Sequence, residues 1–110
     1  MAARILLVQF DEAWEARLAE TLRQRGHSVT THCREECVSE HLSELGHEIE
    51  LVILDVSKGD DETWSIVAEI RQYRTQYGPK PMLLCVSRVY RGPRFELELE
   101  RKGARVVYVR

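Results

Sequence analysis

Leu51-Val52-Ile53-Leu54-Asp55-Val56-Ser57 decides how this chain is read. Four apolar residues run unbroken into one carboxylate, and Lys58, Gly59 and Asp60 follow at once. Such a run, with no polar alternation, marks a strand buried on both faces of a parallel sheet. Asp55 then stands where the strand leaves the sheet. In open α/β sheets the ligand crevice lies outside the carboxyl ends of the strands. An ionised carboxylate there is solvated enough to exist and sheltered enough to react, which makes Asp55 the first candidate functional residue.

On either side the chain alternates strand and helix. Residues 5–8 read as a buried strand, and Asp11 can cap the helix that follows, with Glu12 in its first turn. Trp14, Leu18 and Leu22 share one face of that helix, and Gly26 ends it. A short strand around Val29 precedes a helix carrying Cys37, Val38, Leu42 and Leu45 up to Gly46. Beyond the central strand, Asp60, Asp61 and Glu62 open a third helix. Its inward face is Ile66, Val67, Ile70, Tyr73 and Tyr77, and it stops at Gly78-Pro79. Residues 82–86 and 106–109 read as the fourth and fifth strands. Between them Phe95, Leu97 and Leu99 alternate with Glu96, Glu98 and Glu100, which is strand periodicity. The residues are nonetheless strong helix formers and the βα rhythm asks for a helix, with Phe95 and Leu99 inward and Leu97 outward. The alternation implies right-handed crossovers and a parallel sheet covered on both sides.

Composition narrows the function classes. A chain of 110 residues has room for one domain, residues 1–110, with a real core. With 44% apolar and 31% charged residues it is globular and not disordered. A net charge of −2 leaves no basic footprint for gripping nucleic acid directly. No apolar run approaches ~18 residues, so no membrane span is expected. The chain passes straight from Met1 into its first strand without a signal-peptide pattern. Cys33, Cys37 and Cys85 cannot all pair within one chain, so reduced thiols in a cytoplasmic protein are the simplest account.

Across residues 4–110 this pattern resembles the receiver domain of bacterial two-component response regulators. In receivers strand one ends in two acids, strand three in the phosphorylated Asp, strand four in Thr or Ser, and strand five in Lys. Here Asp55 falls at the phosphoacceptor position, and the spacing from it to Ile70-Arg71 matches without a gap. Ser87, closing Met82-Leu83-Leu84-Cys85-Val86, falls at the hydroxyl position. Gly103-Ala104 matches the pair before the fifth strand, which puts Arg110 at the Lys position. The resemblance implies an α/β, flavodoxin-like, doubly wound parallel sheet of five strands in the order 2-1-3-4-5. It also implies phosphorelay signalling with a sensor histidine kinase or other signalling protein, often in transcription regulation. No enzyme activity is implied beyond self-phosphorylation and dephosphorylation at Asp55.

The departures from that pattern are as informative. The two acids should follow Val8, but Gln9 and Phe10 stand there, and Asp11 lies one place too far along. Those acids hold the family's Mg²⁺, and a hard cation wants several oxygen ligands. Only a weak Mg²⁺ site of Asp11 and Asp55 is therefore expected, and Gln9→Asp with Phe10→Asp is expected to restore metal binding. Arg110 is a planar fork where the family has a compact ammonium. The family aromatic before the Lys corresponds to Val107; Tyr108 is adjacent but faces the other way along a strand. Receivers also add a fifth helix after the last strand, and none is expected here. One face of the last strand would then lack cover, which points to a homodimer or to a missing helix supplied by a longer parent chain. Together these features imply an atypical, degenerate receiver that acts mainly through protein contacts.

Two other readings compete. One is a small-molecule module using the crevice near Phe10, Asp55 and Ser87, and the other is a purely structural oligomerisation domain; one fold hosts many functions. Neither a P-loop nor a dinucleotide glycine motif occurs. His32, Cys33, Cys37 and His41 are zinc-capable groups with helical spacing, but Cys37 fits the core stripe of Val38 and Leu42. Trp14 and Trp64 read as core residues instead of ligand platforms.

Overall fold

A computed structural model describes residues 2–32, 37–45 and 48–109. Cys33, Gly46 and Arg110, to which the sequence assigns a metal spacing, a helix end and the Lys position, lie outside the described residues. Five strands, β1 (Arg4–Val8), β2 (Ser28–Thr31), β3 (Leu51–Asp55), β4 (Met82–Ser87) and β5 (Ala104–Tyr108), alternate with α1 (Glu12–Gln24), α2 (Val38–Glu44), α3 (Asp61–Tyr77) and α4 (Pro93–Arg101). All neighbouring strands run parallel, in the order β2-β1-β3-β4-β5. This is the expected flavodoxin-like sheet, whose order reverses between β1 and β3.

The strands alternate their side chains between two cores, as period two requires. Val52 and Leu54 of β3 join Leu6, Val8, Leu83 and Cys85 beneath α2, α3 and α4. Leu51 and Ile53 pack with Ile5, Leu7, Leu84 and Val86 beneath α1. Three helices thus cover one face of the sheet, and α1 covers the other.

The helix boundaries follow local chemistry. Asp11 accepts a hydrogen bond from the Trp14 backbone N–H at 2.9 Å, and Asp60 accepts from that of Thr63 at 3.1 Å. Both are side-chain caps of otherwise unpaired helix-start donors. Between β4 and β5 the residues do form a helix, with Leu99 buried and Leu97 46% exposed. Two expectations need correction. Cys37 is exposed at the N-cap position of α2 instead of sitting in its core stripe, because the helix begins only at Val38. Tyr77 is 53% exposed, because α3 reaches past the edge of the core before Gly78 ends it. Trp14 and Trp64 are half-buried and pack at the edges of the two cores.

Candidate functional site

The carboxyl ends of β1, β3 and β4 meet at the point where the strand order reverses. β3 delivers Asp55 there as the only buried carboxylate among the described residues, 8% exposed. One of its oxygens, Oδ1, accepts from the backbone N–H of Ser57 at 2.9 Å. Its other oxygen, Oδ2, lies 3.9 Å from Nη2 of Arg88. The same Nη2 donates to Asp11 Oδ2 at 3.0 Å. The Arg88 guanidinium also lies over the Trp14 ring, 4.5 Å from its centroid. Its backbone N–H donates to Ser57 Oγ at 2.9 Å, which ties the β4 end to the β3 loop.

Parity explains why Arg88, and not Ser87, meets Asp55. Asp55 pairs in register with Val86, whose side chain lies on the α1 face with Ile53. Arg88 shares the parity of Val86, whereas Ser87 shares that of Leu83 and Cys85 beneath the other helices. Ser87 is fully buried, and its hydroxyl donates to the Val89 carbonyl at 2.6 Å and accepts from the Val89 N–H at 3.1 Å. It is a strand-end hydroxyl closed on its own loop.

Asp11 is committed as well. The Trp14 backbone N–H first, then Arg88, hold its carboxyl below the ordinary value despite some desolvation. Gln9 adopts a left-handed φ of 69°, an uncommon conformation for a residue with a side chain. That turn breaks the strand alternation and carries Phe10 under α1, where it is 5% exposed and edge-on to Trp14 at 4.8 Å. Phe10 therefore does not line the crevice. The Gln9 amide points away too, donating to Glu62 Oε1 at 2.8 Å.

These residues do not fit the Mg²⁺ that the receiver resemblance implies. Of the two expected ligands, Asp11 uses one oxygen as a helix cap and the other on Arg88, and Asp55 has one oxygen on the Ser57 N–H and the other facing Arg88; at the acid-pair positions Gln9 is turned to α3 and Phe10 is in the core. No group of three or more potential metal ligands occurs among the described residues, which include His32, Cys37 and His41. Instead the Nδ1 atoms of His32 and His41 lie 3.0 Å apart.

The sequence reading passed over three residues of this crevice: Arg88, Ser57 and Arg91. Arg91 donates through Nε and Nη2 to the Ser57 carbonyl, the former at 3.0 Å, and lies over Gly59. The signal for Arg88 appears only once the register of β3 and β4 is known, since a cation two residues beyond the strand partner of an acid shares its side of the sheet.

With the geometry in view, known structures supply the comparison. NtrX from Brucella abortus, crystallised with ADP, superposes with a TM-score of 0.70 at 22% identity over 98% of this chain. A response regulator from Thermotoga maritima gives 0.72 at 20% identity over 98% of this chain and 85% of its own. A response regulator from Burkholderia pseudomallei carrying a phosphorylated aspartic acid, calcium and citrate gives 0.68 at 21% over 96% of this chain.

The chain has the receiver fold.

It spans 23% of the NtrX chain and 58% of the Burkholderia chain. No protein-family model and no curated protein matches it. No helix among the described residues is long and apolar enough to cross a membrane.

Proposed function

We propose that this chain is an atypical receiver-type signalling domain of two-component systems, with Asp55 at the phosphoacceptor position, working mainly through protein contacts. The observation that carries this reading is Asp55 itself. Carboxylates are almost never buried unless paired, and this one is buried at a strand end with one backbone N–H and a guanidinium at 3.9 Å as its partners. A buried carboxylate at the strand-order reversal of an α/β sheet, where ligand crevices lie, belongs to function more readily than to packing. The Burkholderia structure, of the same fold, carries a phosphorylated aspartic acid.

In the proposed step Asp55 Oδ2 attacks the phosphorus of a donor and forms an O–P bond. The donor's P–N or P–O bond breaks, and the leaving group keeps the electron pair. A sensor histidine kinase or another signalling protein would supply the phosphoryl group in the cytoplasm. Output would pass through protein surfaces, including a second copy of this chain, to a transcriptional or other regulator, with no nucleic acid or membrane bound directly. The test is incubation with acetyl phosphate and Mg²⁺ followed by intact-mass measurement. One added phosphoryl group, absent from Asp55→Asn, is expected; no addition, or addition that survives Asp55→Asn, overturns the assignment of Asp55.

A further inference from the structure

We infer that Arg88 is the resident cation of the crevice: its guanidinium occupies the charge-neutralising place between the helix-cap carboxylate of Asp11 and the strand-end carboxylate of Asp55, which are held without a metal ion. The inference stands whether or not Asp55 accepts a phosphoryl group.

Three features carry it. First, one nitrogen, Nη2, faces both acids, at 3.0 Å from Asp11 Oδ2 and 3.9 Å from Asp55 Oδ2. Second, the side chain is anchored at both ends. Its backbone N–H is tied to Ser57 Oγ, and its guanidinium lies over the ring of Trp14, which Phe10 braces edge-on from the core. A guanidinium can stack and pair at once and does not deprotonate, whereas a lysine ammonium offers only a point charge. Third, the residues that depart from the receiver pattern now have a joint purpose. Phe10 supplies the brace for the aromatic platform on which the substitute cation rests, and Asp11 supplies the carboxylate that cation reaches.

A tethered cation competes with a free one at an effective concentration on the order of millimolar. Mg²⁺ at similar levels would have to displace it and would find few oxygen ligands in return. Arg88→Met, which keeps length but removes charge and donors, should therefore uncover a cation site and leave two acids unneutralised.

The experiment follows thermal melting and tryptophan fluorescence of the purified chain with MgCl₂ or MnCl₂ as the only added metal. The wild-type melting temperature should not move at about 10 mM Mg²⁺, whereas that of Arg88→Met should rise, with an apparent affinity about tenfold higher. Asp55→Asn should lower the melting temperature of the wild type, where it removes a partner of Arg88. In the Arg88→Met background the same change should raise it, because it removes like-charge repulsion. Equal shifts in the two backgrounds, or Mg²⁺ binding as tight in the wild type as in Arg88→Met, would overturn the inference. Should Arg88→Met not fold, the wild type decides. Mn²⁺ at about 1 mM should leave the backbone amide resonances of Asp11 and Asp55 sharp, and selective broadening of both would show the cation place to be open.

Discussion

Phe10 shows how far a single residue can depart from the role its position suggests. By position it replaces a metal ligand, and acids at residues 9 and 10 would be expected to rebuild a site. In the fold it is a core side chain, 5% exposed and packed on Trp14. Phe10→Ala should cost about 3 kcal/mol through lost burial and a residual cavity. Phe10→Asp should cost at least as much, because it buries a carboxylate. The expectation that Gln9→Asp with Phe10→Asp yields a metal-stabilised protein is therefore reversed. Urea denaturation should show a large loss of stability that Mg²⁺ does not recover, and a full recovery would refute the packing account. Nothing in the identity of Phe10 announces this. The left-handed turn at Gln9 sends it under α1, and that φ is set by tertiary context.

Among the helices, α1 and α3 were the most legible because their start signals are local. Asp60 caps α3 by accepting from both the N–H and the hydroxyl of Thr63, which hold its carboxyl below the ordinary value. The sign of the pH effect follows from that depression. The contribution is complete above the ordinary carboxylate pKa of 3.8 and is lost as pH falls through the lower folded value. Asp60→Ala should lower the melting temperature by about 4 °C at neutral pH. Its deficit relative to wild type should shrink as the pH drops below that of an unperturbed carboxylate; a deficit constant from pH 7 to pH 2 would contradict the cap. Helix α4 was harder to read, since Phe95, Leu97 and Leu99 fit a strand period as well. Burial of Leu99 with Leu97 outward resolves it as a helix, the solution that also joins two parallel strands.

For the molecule as a whole, the unequal covering of the sheet is the leading feature. On the α1 side, an open groove of about 510 Å³ has an apolar floor of Ile53, Leu84 and Val86 and is also lined by Trp14, Arg17 and Arg88. Val107, in register with Val86, is 45% exposed. Parallel sheets are normally covered on both faces, and joined apolar surface of this kind favours association. A reversible homodimer is expected at ~100 µM by sedimentation, weakened by Val107→Glu. A monomer that binds no hydrophobic dye would show that the face needs no cover.

The sequence by itself determined the α/β class, the strand order through the receiver resemblance, the cap at Asp11, the acidic opening of α3 at Asp60, and the place of Asp55 at a strand end. Each rests on a short-range pattern: apolar runs, period, and a side chain reaching a donor a few residues on. Only the tertiary structure decided what surrounds Asp55. It brought Arg88 to Asp11 across 77 residues of chain, closed Ser87 on Val89 and withdrew Phe10 into the core. Those outcomes depend on which strands become neighbours, in what register, and how one backbone turn breaks the alternation. No local pattern encodes them, because the partners meet only when the sheet is assembled.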